Sequence, residues 1–311
     1  MIDLVGRRRL FFLVSGILIL IGVVSLIVSG VRFDAPLRLG TDFTGGTTMV
    51  LRFSPEAEVS QGQLRGEMTE LGHEDASIQY AGDNRFIIHT SEMTSEEADQ
   101  MTAALNQRLD TNAQREDFRS TSPAVAARTA RNAFIAVIVA GVAMLFYIVW
   151  AFRRMPKPFR WGTCAVIALA HDVFIIIGIF SLLGLVAGVT ADAMFITGLL
   201  AVVGYSINNT VVVFDRIREN VSRHLRPDFA ATVNDSLVET LGRCLNTALT
   251  TLFVLLALFL FGGVTIQPLV LVLVLGVIIG TYSSLGISSQ FLVVWEKREW
   301  RSLLPFARRA A

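Results

Sequence analysis

Apolar residues run along this chain in six long, nearly uninterrupted blocks, at 10–29, 133–152, 161–185, 191–214, 242–261 and 267–295. A helix crosses a bilayer in about 20 apolar residues, so each block predicts one transmembrane helix. The stretch 30–130, between the first two blocks, has a different texture. Residues 47–53 alternate and are rich in strand formers. Residues 60–71 put Leu64, Met68 and Leu71 on one helical face. The segments 76–80 and 85–90 read as strands around the turn Ala81-Gly82-Asp83-Asn84. A second helix is expected over 95–109, opened by Ser95-Glu96-Glu97, and a last strand over 115–120. The order β-α-β-β-α-β predicts a ferredoxin-like α+β domain with one modest core. Residues 227–241 place Phe229, Val233, Leu237 and Leu241 at helical spacing, as in an amphipathic helix lying along the membrane face.

The fold expected is therefore a polytopic α-helical membrane protein, with six transmembrane helices and one α+β domain outside the bilayer. Its parts are 1–29 (N-terminus and first span), 30–130 (outer domain), 131–296 (five spans, with an inner loop at 215–241) and 297–311 (tail). Composition agrees: 53% of the 311 residues are hydrophobic and mean hydropathy is +0.57, outside the range of ordinary soluble proteins.

Charge adds orientation. The window 30–127 holds 16 Asp and Glu against 8 Arg and no Lys, and the other 19 basic residues lie outside it. Arg7, Arg8 and Arg9 precede the first block; Arg153, Arg154, Lys157 and Arg160 follow the second; Arg216, Arg218, Arg223 and Arg226 follow the fourth. Lys297, Arg298, Arg301, Arg308 and Arg309 follow the sixth. Six spans bring all four groups to one side, which the positive-inside rule makes cytoplasmic. Both termini are then cytoplasmic and the acidic domain is extracytoplasmic. The first block is too long for a signal peptide and no small-residue cleavage pattern follows it, so it reads as a retained span. Cys164 and Cys244 lie in or beside apolar blocks and imply no disulfide framework.

No zinc-binding His-Glu-x-x-His and no phosphate loop occurs, and Gly204-x-Ser206 lacks the second glycine of a nucleophile elbow. Neither a catalytic site nor a metal or cofactor site is expected, and nothing points to nucleic acid. The chemistry lies in polar groups at membrane depth, which are costly there and usually mark function. Asp172 sits near the middle of the third block and is either a packed, hydrogen-bonded acid or a proton carrier. His171 adjoins it but is turned about 100° on the helix, so pairing does not follow from position. The fourth block carries Tyr205, Ser206, Asn208 and Asn209 and ends at Asp215. Asn208, Val212 and Asp215 share one helical face, suggesting a bundle interior; locally, Asp215 also reads as a solvated helix end. Arg243 opens the fifth block on the same side, either snorkelling to headgroups or meeting Asp215, and Asn246 follows it. Asp192 reads as a helix N-terminal residue favoured by the dipole. Gly276-x-x-x-Gly280 and Ser283, Ser284, Ser288 and Ser289 form a small-residue packing face. The segment 40–47, with Asp42, Phe43, Thr44, Gly45 and Gly46, reads locally as a tight turn feeding the first strand.

Together these pieces resemble the SecF family of protein-export subunits, over most of the chain. Residues 40–47 are similar to its Gly-Ile-Asp-Phe-Thr-Gly-Gly signature, with Thr41 in place of Ile. Ala170-His171-Asp172-Val173 matches its third-span His-Asp motif. Residues 204–220 match its long span-four signature, and Arg243-Cys244-Leu245-Asn246-Thr247 its span-five opening. Asn209 departs from the pattern, since the family commonly has an acid there, and an amide cannot take up a proton. The resemblance implies a functional carboxylate at Asp215 and a basic partner at Arg243. It also implies one half of an RND-like assembly with SecD in the bacterial plasma membrane. Its further partners would be the SecYEG channel, YajC and exported precursor proteins, with protons as the coupling ion and no nucleotide hydrolysis. An RND-type small-molecule exporter half, and a structural subunit without proton chemistry, are the alternatives.

Overall fold

The computed structural model describes residues 2–57, 59–223 and 228–300. Arg226, Pro227, Arg301, Arg308 and Arg309, named above, lie outside the described residues. Helix α1 (Arg8–Phe33) leads into the outer domain: a short α2 (Thr41–Thr44), β1 (Gly46–Arg52), α3 (Gln61–Glu70), β2 (Ser77–Tyr80), β3 (Arg85–Thr90), α4 (Ser95–Leu109) and β4 (Gln114–Thr121). Then come α5 (Pro123–Ala151), α6 (Pro158–Val186), α7 (Ala193–Ser222) and α8 (Phe229–Phe261). After a 3-10 turn (Val264–Ile266), the last span consists of α9 (Gln267–Ser283), a π-helical turn (Ser284–Ser288) and α10 (Ser289–Lys297). Among the described residues, six helical stretches are long and apolar enough to cross a membrane. This is a multi-pass helical membrane protein.

The outer domain has the expected order. Its four strands are antiparallel and lie as β2-β3-β1-β4, the split arrangement of a ferredoxin-like sheet. Helices α3 and α4 cover one face, burying Met49, Leu51, Phe86 and Ile88 against Leu64, Met68, Met101 and Leu105. Both helices open with a capping box, Ser60 with Gln63 and Thr94 with Glu97, satisfying N–H groups that the first turn leaves free.

Two boundaries differ from expectation. The outer domain ends at Ser122 rather than near 130, because Pro123 stands at the first helical position of α5 and presets its start. The surface-lying helix expected over 227–241 is not a separate element. Helix α8 runs unbroken for 33 residues, about 50 Å, beyond a hydrocarbon core of about 30 Å. Val233 and Leu237 are fully buried in one cluster with Val213, Phe214 and Ile217 of α7. The apolar stripe of 229–241 thus packs on α7 instead of on lipid. Much of the loop placed at 215–241 is likewise helix, since α7 continues to Ser222.

Small residues bring the spans close. A Cβ on Gly276 would lie 2.0 Å from Val202 Cγ2, and one on Gly280 would lie 3.1 Å from Ser206 Cβ, so α9 presses directly on α7. A Cβ on Gly178 of α6 would lie 2.6 Å from the Gly22 backbone of α1. These contacts put α1, α6, α7 and α9 within reach of one another's short polar side chains.

Candidate functional site

Asp172 lies where those four helices meet and is completely buried (0% exposed). Its Oδ2 accepts hydrogen bonds from Ser206 of α7 (2.5 Å) and Ser283 of α9 (2.6 Å). Its Oδ1 stands 2.9 Å from Nδ1 of His171. The neighbours that helical geometry alone left unpaired are therefore joined. From His171 the chain of contacts continues: Nε2 to Ser15 Oγ at 2.9 Å, Ser15 Oγ to Tyr282 Oη at 3.0 Å, and the Tyr282 hydroxyl donating to the Phe11 carbonyl at 2.7 Å. The path runs from the centre of α6 to the first turns of α1.

Counting hydrogens constrains the protonation of this chain. Asp172 to His171, His171 to Ser15, Ser15 to Tyr282 and Tyr282 to Phe11 are four links. A neutral imidazole, a serine hydroxyl and a tyrosine hydroxyl supply three hydrogens, one each. The fourth link gains a donor only where the Asp172–His171 pair holds one proton more than a carboxylate and a neutral imidazole carry. With it, every link has a donor pointing the same way along the path. Without it one link has none, and an unmade hydrogen bond in a buried site is expensive.

Asn209 is buried one turn from Ser206 and donates from Nδ2 to Thr281 Oγ1 at 3.2 Å. Tyr205 packs beside Val277 and Ala248, with a buried hydroxyl that has no hydrogen-bond partner among the described residues. Asn208, the face-mate of Asp215, is exposed, and so is Asp215 (side chain 54% exposed). The stripe 208–212–215 looks outward because the opposite side of α7, with Val202, Ser206 and Asn209, is the one pressed on α9. Asp215 pairs with Arg218 one turn on, at 2.5 Å, and not with Arg243. Arg243 and Asn246 are exposed on α8, their backbone carbonyls accepting from Thr247 and Thr250. Ser15 and Tyr282 escaped sequence reasoning. Ser15 is a lone hydroxyl in an apolar block and Tyr282 stands in the hydroxyl run 281–284, and the rule that singled out Asp172 applies to uncharged groups only weakly.

The segment 40–46 builds a second feature. Gly40 and Arg38 pair with Ala191 through backbone hydrogen bonds of 2.8 Å each, and Asp42 Oδ2 accepts the Ala193 N–H at 2.9 Å. Asp192 is the N-cap of α7, accepting from Phe195 N–H at 2.9 Å. Gly45 and Gly46 both have positive φ (82° and 112°), and a Cβ on Gly46 would lie 2.4 Å from the Thr90 carbonyl. Thr41 bonds Thr48 at 2.6 Å, and Thr48 bonds His89 Nδ1 at 2.9 Å. Burial, with Arg38 nearby, pulls the His89 imidazole down to about 4. Gly40, Thr41, Asp42, Thr48, His89 and Asp192 line a cavity of about 190 Å³ between the open face of the sheet and the outer-domain ends of the spans.

Family models match the stretches of sequence that carry both features. A family model described as protein export membrane protein SecD/SecF, C-terminal, matches residues 101–298, and one described as the SecD/SecF GG motif matches residues 33–57. The protein translocase subunit SecF of Anaerolinea thermophila is 36% identical over 97% of this chain and 96% of its own. That of Thermobaculum terrenum is 38% identical over 96% of each. The crystal structure of SecDF from Thermus thermophilus superimposes with a TM-score of 0.83 at 31% identity, covering 96% of this chain and 39% of that longer one. A SecDF structure in a super-membrane-facing form covers the same 96%, and 39% of its own chain, at 32% identity, but with a TM-score of 0.64. The chain belongs to the SecF family of protein translocase subunits.

Proposed function

We propose that this chain is the SecF-type half of a complex with SecD that uses the proton motive force to assist protein export. It would sit in the bacterial plasma membrane with both termini cytoplasmic, working on precursors at the SecYEG channel, with YajC as a further contact. The reading involves neither nucleotide hydrolysis nor bond-making catalysis. One observation carries it. Among the described residues, Asp172 is the one buried carboxylate of the spans, and through His171 it is joined to a run of groups able to pass a proton, Ser15 and Tyr282. Each charge moved across 100 mV releases about 2.3 kcal/mol, enough per proton to shift a helix between two packings.

The location of the other polar groups supports a membrane partner. Asn208, Asp215, Arg243 and Asn246 are exposed on α7 and α8, and groups of this kind near membrane depth normally face protein or a water path. A second set of spans, such as SecD supplies, would cover them. The basic residues at the ends of α1, α5, α7 and α10, opposite the outer domain, support the cytoplasmic assignment.

The test is precursor export in cells lacking the native subunit, rescued by this chain with its cognate SecD at equal membrane levels. Asp172→Asn is expected to abolish rescue and Asp215→Asn to preserve most of it. Normal export by Asp172→Asn would remove the proton role from this pair, and failure of Asp215→Asn alone would move it to the outer face of α7.

A further inference from the structure

The motif at 40–46 does more than turn the chain into β1. The outer domain is linked to the spans covalently at α1 and α5 and by a Thr265 hydroxyl that donates to Asp117 of β4 at 2.9 Å, and a further attachment is made by hydrogen bonds at the start of α7. Ala191 N–H donates to the Arg38 carbonyl and Gly40 N–H to the Ala191 carbonyl, forming a short parallel bridge. Beyond it, Asp42 takes the Ala193 N–H, a bond between residues 151 positions apart. The first turn of α7 is thus satisfied partly by its own cap, Asp192, and partly by the outer domain.

Asp42 stands on a stiff turn. Gly46 lets β1 begin against the Thr90 carbonyl with no room for a Cβ, and Gly45 lies against Pro123 at the start of α5. Thr41 is fixed to Thr48 of β1. A rigid turn bonded to the end of a helix moves with that helix. Thirteen positions along the same helix, Ser206 holds the Asp172 carboxylate.

We propose that Asp42 is a positioning residue that locks the outer domain to α7, so that the two move as one body when α7 shifts against Asp172. The transmission part rests on the proton reading above; the lock itself does not. The solved SecDF structures overlay on this chain to different degrees at equal coverage, so their shared elements are arranged in two ways.

The same bond can be removed from either end. Asp42→Ala deletes the acceptor. Ala193→Pro deletes the donor at the first helical position, where proline is well tolerated. Asp192 already has the extended backbone that a residue before proline requires (φ −118°, ψ −170°). Asp42→Asn keeps an acceptor oxygen. Spin labels at Glu70→Cys in α3 and Val186→Cys at the end of α6, both exposed, report the distance from outer domain to membrane. The full chain is used, assembled with SecD in lipid nanodiscs, with the buried Cys164 and Cys244 changed to alanine.

Expected is a wild-type distance distribution for Asp42→Asn and a clearly broadened one for Asp42→Ala and Ala193→Pro, with export falling severalfold in those two alone. Unchanged distributions in both bond-deleting variants would overturn the lock. Broadening with full export would overturn its part in function, and loss in Asp42→Asn equal to that in Asp42→Ala would show that charge, not the bond, matters. Ala193→Pro decides the question if Asp42→Ala disturbs the outer domain. Export lost in the joint variants but intact in Asp172→Asn would retain the lock and reject the proton reading.

Discussion

Removing both hydroxyls that hold Asp172 should cost far more than the two single removals together. Ser206 and Ser283 donate to the same oxygen, Oδ2, at 2.5 and 2.6 Å, and that carboxyl is wholly buried. With either serine changed to alanine, the other still satisfies Oδ2. Each single variant therefore loses one interhelical hydrogen bond, about 1 kcal/mol within a membrane. With both changed, Oδ2 has no donor and the penalty for an unsatisfied buried acceptor, about 1–3 kcal/mol, is added. The double variant should lose about 3–5 kcal/mol against an additive sum of about 2. The assay is reversible unfolding of the full chain in mixed lipid–detergent micelles, followed by helical circular dichroism, for wild type, both singles and the double. The same cycle in an Asp172→Leu background removes the shared oxygen, and there the two changes should add. A double-variant loss within about 0.5 kcal/mol of the sum in the parent background would refute the shared-acceptor geometry.

Three other outcomes follow from the packing and the outer domain. Gly276→Ala drives a methyl into Val202 and should cost about 1–3 kcal/mol in the same unfolding assay, while Gly141→Ala, whose Cβ meets nothing within 4 Å, should be neutral or slightly stabilising. Gly46→Ala combines a positive φ with a clash against the Thr90 carbonyl and should unfold the outer domain at markedly lower temperature than Gly82→Ala, which has positive φ but open space. His89 sits at about 4, below its ordinary 6.5, so between these values the unfolded chain binds a proton that the fold refuses. Outer-domain stability should then be unaffected by His89 above pH 6.5 and fall as pH drops from 6.5 towards 4. Urea unfolding read by a fluorophore at Glu70→Cys should show this loss in wild type, with the slope reduced in His89→Gln.

What the sequence revealed, and what it concealed, follows from range. The six spans were legible because a bilayer demands a long apolar helix whatever the neighbours. The outer domain was legible because alternation and capping residues such as Thr94 and Glu97 act within a few positions. The orientation of α7 was not. Spacing puts Asn208, Val212 and Asp215 on one face but cannot say whether that face turns inward. Gly276 and Gly280, some 70 positions away, decide it by drawing in the side that carries Ser206 and Asn209. The Asp42 to Ala193 bond was hidden for the same reason, since local chemistry shows only a turn. The break between 227–241 and the fifth span was an error of context: an amphipathic stripe fits a membrane surface or another helix equally, and α7 was the partner.

Asn209 gives the arrangement its logic. An acid at that position would lie on the buried side of α7, one turn from Ser206. Here an amide occupies the place and bonds Thr281, itself bonded back to the Val277 carbonyl, so the site is satisfied without any proton to exchange. Among the described residues, the buried carboxylate and imidazole of the bundle core are Asp172 and His171 on α6, and α7 hydrogen-bonds to Asp172 through the hydroxyl of Ser206. Under the proposed proton role, a change in charge at the pair alters what Ser206 must satisfy, and so where α7 prefers to sit. Because the outer domain grips that helix at Ala193, a displacement begun in the middle of the membrane has a short, stiff route to the far surface.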